Sequence, residues 1–276
     1  MKTSVFKSEE AKNRLRTAYN QILRAFPFEQ HLLETAFGET FLLAAGDEAH
    51  LPIVLLHGSC SNSAFWFPEI MALSRTHRVY AVDLPGEAGN STEYRPDLES
   101  PAFSLWLQEV LDRLHLEKTA LTGNSLGGWM ALKFATAFPQ RVSSLTLLAS
   151  AGLAPIREQF FHQVDQQLSA SGTVTANSQI LGAAQIPKEV LDFMNLIIAS
   201  YTPIPSLPLF SEDELRHLTM PVLFIDGTED PIIDGEASAQ RLTQLLPQVT
   251  ICLKPKTGHV IPDAMKEILP FLQRHS

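Results

Sequence analysis

Apolar residues along this chain fall into two alternating rhythms. Short runs rich in Val, Ile, Leu and Thr read as strands: His31 to Phe37 and Glu39 to Ala45, split by Gly38 as a hairpin, then Pro52 to Leu56, Arg78 to Leu84, Thr119 to Gly123, Val142 to Ala149, Val222 to Asp226 and Val249 to Leu253. Between them, Asn62 to Arg75, Ala102 to His115, Leu126 to Phe138, Glu236 to Leu246 and Pro262 to Arg274 carry their apolar residues at helical spacing. Strands that alternate with helices pair in parallel through right-handed crossovers, because each helix returns the chain to the same end of the sheet. The expected fold class is therefore α/β, with a mostly parallel eight-stranded sheet and helices on both faces.

The rhythm stops after Ser150 and resumes at Val222. A gap of roughly 65 residues is too long for a plain connection and too apolar for a loose loop. Helical stretches at Ile156 to Ser169 and Lys188 to Ser200 flank a softer segment, Ala170 to Asn177, and Pro203, Pro205 and Pro208 mark the exit. This predicts a helical cap at 151–215, inserted after the sixth strand, on a core built from 1–150 and 216–276. Ahead of the first strand, Met1 to Gln30 contains Lys7, Glu9, Glu10, Lys12, Arg14 and Arg16 and no continuous apolar stretch. It reads as an amphipathic helix packed on the outside, neither signal peptide nor membrane span.

Composition narrows the chemistry. With 45% hydrophobic and 18% charged residues in 276, the chain has the apolar mass for one large core. A net charge of −9 repels phosphate backbones and anionic lipid, so neither nucleic acid nor membrane is an expected partner. Cys60 and Cys252 build neither a disulfide scaffold nor a CXXC metal site, which fits a reducing cytoplasm; no cofactor or metal is expected.

Candidate chemistry begins at Gly123-Asn124-Ser125-Leu126-Gly127-Gly128, where a strand pattern becomes a helical one. Such a turn bends sharply. Glycines at 123 and 127 remove side chains that would collide, so Ser125 is expected to be strained, with its hydroxyl pointing outward. The same turn puts the Leu126 N–H at a helix N-terminus, where free donors and the helix dipole hold a developing oxyanion. A serine hydroxyl needs a base, and the base needs a carboxylate to fix its tautomer. Both should follow the C-terminal ends of later strands, where the loops of a parallel sheet converge. His259, in Gly258-His259-Val260, follows the last strand, and Asp230, in Gly227-Thr228-Glu229-Asp230-Pro231, follows the one before. Asp226, Glu229 and Asp234 compete with Asp230, whereas Ser150 to Ile156 offers no carboxylate. His57 reads as a residue that shapes a loop. His31 opens a strand, and His50, His77, His115, His162, His217 and His275 read as surface or helix positions. Ser91 reads as a loop turn and Cys60 as a small hydrophobe.

From residue 31 to 275 the chain resembles the α/β-hydrolase fold, with its GXSXG nucleophile elbow and its chain order Ser, Asp, His. His57-Gly58-Ser59-Cys60 stands where that family opens an oxyanion loop, so the resemblance implies that the Ser59 N–H is the second oxyanion donor. Val82-Asp83-Leu84-Pro85-Gly86 resembles the family's Asp-X-Pro-Gly, although Glu87-Ala88-Gly89-Asn90-Ser91 is longer than its usual continuation. Dehalogenases and epoxide hydrolases of this fold carry aspartate where Ser125 stands. Carbon-carbon bond hydrolases of ring cleavage share the Gly-Asn-Ser-X-Gly-Gly elbow but have tryptophan after the histidine, where this chain has Val260. The expectation is a serine carboxylesterase with the triad Ser125, Asp230 and His259, acting on a carboxylic ester of a small to medium apolar substrate, uncharged or weakly polar. Asn124, Phe160, Phe161, Phe193 and Met194 are the candidate substrate-facing residues, with Leu196 and Ile197 beside them on the cap. A carbon-carbon hydrolase and a non-catalytic ligand-binding protein of the same fold are the alternatives.

Overall fold

The computed structural model describes residues 4–176, 181, 182 and 184–275. Helix α1 (Glu9–Arg24) precedes the hairpin β1 (Glu29–Thr35) and β2 (Gly38–Ala45), and β3 (Pro52–Leu56), α2 (Phe67–Leu73) and β4 (Arg78–Val82) follow. Then come α3 (Ala102–Arg113), β5 (Thr119–Asn124), α4 (Leu126–Ala137) and β6 (Val142–Leu148). An insertion carries α5 (Glu158–Ser171), α6 (Lys188–Ser200) and a short α7 (Glu212–Leu215), after which β7 (Val222–Gly227), α8 (Gly235–Leu245), β8 (Val249–Lys254) and α9 (Met265–His275) complete the chain.

All eight strands form one sheet in the order β1-β2-β4-β3-β5-β6-β7-β8. β2 pairs antiparallel with β1 and β4, and every other pairing is parallel. The central strands are buried at nearly every position because both faces are covered, and β3, β4 and β7 are almost wholly apolar as a result. Val54, Leu56, Tyr80, Val82, Val222 and Phe224 point into one layer, while Ile53, Leu55, Val79, Ala81, Leu223 and Ile225 point into the other. Helices cover both layers, so the polar ends of the strands are the places left for chemistry. β5, β7 and β8 run parallel and end along one edge.

Element boundaries move by a few residues from the sequence reading. The stretch expected as one helix from Asn62 opens instead as a 3-10 turn, Ser63–Trp66, with the Asn62 side chain accepting the Ala64 N–H. The last helix starts at Met265, after Asp263 takes a positive φ of 57°. Gly172, at φ 69°, ends α5, and the Asn177 end of the softer segment lies outside the described residues. His77, expected at the surface, is buried just before β4, at the opposite sheet edge from Ser125, with Thr76 Oγ1 2.9 Å from its Nδ1.

Helix α1 does more than cover the sheet. Its Ser8 cap starts it, Leu15, Tyr19 and Leu23 form its buried face, and the Tyr19 ring packs 6.2 Å from Phe193 on α6. The segment ahead of it bridges the insertion directly: the Lys7 N–H donates to Ser200 O at 2.9 Å, and the Thr202 N–H donates to Val5 O at 3.0 Å. Among the described residues no helix is long and apolar enough to cross a membrane.

Candidate active site

Ser125 sits alone between β5 and α4, at φ 51° and ψ −111°, a conformation that L-residues rarely adopt and that costs about 1–3 kcal/mol. Its surroundings leave no alternative. A Cβ on Gly123 would lie 2.2 Å from Gly127 O, and one on Gly127 would lie 2.1 Å from Leu56 O, so strand, bend and helix meet only because both positions are glycine. Three backbone hydrogen bonds pin the bend: Ser125 N–H to Leu148 O, and Trp129 N–H and Ala151 N–H to Ser125 O.

Gly58 flanks the serine, its ideal Cβ position 3.4 Å from Ser125 Cβ. His57 fixes the loop that follows. Its Nε2 accepts the Leu84 N–H at 3.0 Å, which leaves the proton on Nδ1 to donate to Gly58 O at 2.8 Å. Burial lowers its pKa, so the ring is neutral and both nitrogens are committed to structure. The N–H groups of Ser59 and Leu126 serve no turn or cap hydrogen bond among the described residues. The Asn124 side chain lies against Gly58, with its Oδ1 buried and without a hydrogen-bond partner among the described residues.

At the same sheet edge, the loops after β7 and β8 are laced together. The Thr228 N–H donates to Lys254 O, the Glu229 N–H donates to Thr257 O, and a Cβ on Gly227 would strike Thr257 O at 2.0 Å. This lacing brings Asp230 to His259. Asp230 Oδ2 accepts the His259 Nδ1–H at 2.7 Å, while Oδ1 accepts the N–H groups of Ile232 and Ile233 at 2.7 and 3.0 Å. The carboxylate side chain is 0% exposed and the imidazole 11%. Burial works against the charge, yet His259 and the two backbone donors hold the Asp230 pKa below the usual carboxylate range. Among the described residues the competing acids make no hydrogen bond to His259. Glu229 is exposed, Asp234 caps α8 and pairs with Arg157 at 3.4 Å, and Asp226 accepts its neighbour's Gly227 N–H.

The candidate substrate-facing residues of the insertion separate into three places. Phe160 and Met194 pack in a cluster with Leu181, Ile232 and Val260, the last two being close neighbours of Asp230 and His259 in the chain. Phe193 stacks on Phe65 at 5.8 Å and joins the core under α1, with Leu196 and Ile197. Phe161 is 43% exposed on the outer side of α5.

One group escaped the sequence reading. Glu87, in the longer-than-usual loop after β4, has a fully buried side chain whose Oε1 accepts the Tyr201 O–H, with Arg95 3.8 Å away. Arg95 also donates to Gly86 O and Thr202 O, so this trio ties the exit of the insertion to the core. Burial pushes the Glu87 carboxyl up to about 7, against the pull of Tyr201 and Arg95. Burial and the nearby Glu87 raise the Cys60 thiol to about 12, which keeps it protonated and unreactive. Between pH 4.5 and about 7 the folded chain therefore keeps a Glu87 proton that the unfolded chain has released, and stability falls as pH rises through that window. Glu87→Gln retains the acceptor for Tyr201 without the charge. Its Tm advantage over wild type is expected to grow between about pH 4.5 and about pH 8 by thermal denaturation; an advantage independent of pH would contradict the assignment.

The elbow, the loop after β3 and the paired carboxylate and imidazole stand on the sheet of an α/β hydrolase, and the chain belongs to the α/β-hydrolase fold family. The model of that family matches residues 52–183. The chain is 30% identical over 227 residues to the pimeloyl-[acyl-carrier protein] methyl ester esterase of Aliivibrio salmonicida, covering 75% of this chain and 84% of that one. It is 28% identical over 255 residues to an uncharacterized carboxylesterase, nap, of Bacillus subtilis, covering 88% of this chain and 85% of that one. The crystal structure of carboxylesterase CesB (YbfK) from Bacillus subtilis superposes with a TM-score of 0.84 at 26% identity, over 95% of this chain and 98% of the other.

Proposed function

We propose that this protein hydrolyses small to medium apolar carboxylic esters through an acyl-enzyme on Ser125, with His259 as base and Asp230 as its orienting acid. It is an ester hydrolase, as its relatedness to carboxylesterases supports. The observation that carries the mechanism is the buried 2.7 Å pair of Asp230 and His259 at the sheet edge where Ser125 stands strained at the start of α4.

Because Asp230 holds the proton on Nδ1, the Nε2 of His259 is free to accept. As Ser125 Oγ bonds to the ester carbonyl carbon, its proton passes to Nε2, and the carbonyl oxygen becomes an oxyanion between the N–H groups of Ser59 and Leu126. Collapse breaks the bond to the alkoxide oxygen, which takes the proton from Nε2 and leaves as an alcohol. Water then attacks the acyl carbon, giving its proton to Nε2; the second collapse returns that proton to Ser125 Oγ and frees the carboxylic acid. Each oxyanion donor is worth about 10²- to 10³-fold in kcat.

We read 151–215 as a cap, with 1–150 and 216–276 as the core. Supporting this, Gly182 lies so close to the histidine loop that a Cβ there would sit 2.7 Å from Gly258 Cα, and Phe160 and Met194 cluster with Val260. Together with Asn124 these two are the residues we assign to the substrate. Two free thiols fit a reducing compartment, in our reading the cytoplasm.

A series of p-nitrophenyl esters with lengthening acyl chains, run beside a ring-cleavage diketone, tests the reaction class. Ester turnover with no cleavage of the diketone is expected, in keeping with Val260 after the histidine. Diketone cleavage that outruns every ester would transfer the assignment to carbon-carbon hydrolysis.

A further inference from the structure

A second carboxyl lies buried at the end of β7, where the Asp230 N–H folds back to donate to Gly227 O at 3.3 Å. Asp226, near the end of β7, is 0% exposed and Asp230 only 2%. Asp226 Oδ1 accepts the Gly227 N–H at 2.7 Å, but Oδ2 is buried with no donor among the described residues. The first turn of α8 seals that oxygen off from solvent: a Cβ on Gly235 would sit 2.8 Å from it. Two carboxylates side by side in a dry site cannot both ionise, and an oxygen with no donor is the natural seat of the shared proton.

We propose, building on the acyl-transfer reading, that Asp226 is a positioning residue that stays protonated and donates a hydrogen bond from Oδ2 to the Asp230 carboxylate, forming an acid–carboxylate–imidazole chain behind Ser125. The division of labour follows from the donors. Asp230 has His259, Ile232 N–H and Ile233 N–H to stabilise its charge, whereas Asp226 has a single backbone N–H. Burial first, then the Asp230 charge, raise the Asp226 pKa. The cation that opposes them is Arg157, which is held by Asp234 at 3.4 Å and donates from Nε to Ile233 O at 3.2 Å. A carboxylic acid beside Asp230 would fix that carboxylate's rotation and draw off part of its charge, setting how firmly it holds the imidazole.

Two variants separate positioning from space filling. Asp226→Val fills the site without a donor and is expected to lower kcat on a p-nitrophenyl ester about 10-fold, with KM changed less than about 2-fold. Asp226→Asn restores a neutral donor and should recover most of that loss. The pH profile is the sharper readout. As the pH rises into the alkaline range, wild-type Asp226 loses its proton, a second anion appears beside Asp230, and kcat/KM should decline; in Asp226→Asn that decline should vanish. Full kcat in Asp226→Val, or an unchanged alkaline decline in Asp226→Asn, overturns the inference. Should Asp226→Val fail to fold, the Asn profile decides alone. Turnover that survives Ser125→Ala would instead refute the acyl-transfer reading, whereas a Ser125-dependent enzyme indifferent to Asp226 refutes only the positioning role.

Discussion

Ser125→Ala is expected to lower kcat on a p-nitrophenyl ester by about 10⁴-fold or more, with little change in KM. The size follows from what the substitution removes. Without Oγ there is no acyl-enzyme, and His259 loses the group whose proton it takes, so the base and its orienting acid lose their purpose together. What remains is the pair of oxyanion donors and the binding of the ester, which still speed attack by water. The fold should hold, because the three backbone hydrogen bonds that pin the bend use the Ser125 N–H and C=O. Alanine accepts the positive φ no better than serine, so thermal denaturation should show a small change while a stopped assay shows a large one. Wild-type turnover in this variant would remove Ser125 from the mechanism.

Asp230→Asn should cost nearly as much, about 10⁴-fold in kcat, for a local reason. Oδ1 is the acceptor for two backbone donors, Ile232 and Ile233 N–H. An asparagine placed there keeps its carbonyl oxygen toward those donors and turns its NH₂ toward His259. The imidazole must then accept at Nδ1, which puts its proton on Nε2, the atom that has to receive the serine proton. The ring is present but in the wrong tautomer. Steady-state kinetics check this, and a loss smaller than about 10-fold would mean that another carboxylate orients the histidine.

Much of this arrangement was legible along the chain because the decisive signals are local. A strand buried on both faces needs an apolar run, and Pro52 to Leu56 and Val222 to Asp226 read as such strands, the second extending to Gly227. The elbow announces itself through Gly123 and Gly127, whose missing side chains are a steric demand of the bend. The choice among four carboxylates between 226 and 234 was not local. It depends on the lacing of two loops, Glu229 N–H to Thr257 O among others, that no spacing rule encodes. The fate of the insertion's aromatics was also hidden. Phe160, Phe161 and Phe193 are equally apolar in sequence, yet one joins the cluster by His259, one faces outward and one serves as core for α1. Glu87 escaped notice, and Asp226 was weighed only as a rival to Asp230, for a related reason: a charged residue reads as surface until its neighbours are known, and both are buried.

The central claim is that Ser125 is made nucleophilic by His259, and covalent trapping tests it most directly. Incubation with a fluorophosphonate followed by peptide mass spectrometry should place one adduct on the Ser125 peptide of the wild-type protein, and the labelling rate should collapse in His259→Ala. An adduct on another residue, no adduct at all, or labelling of Ser125 at an undiminished rate without His259 would contradict the account.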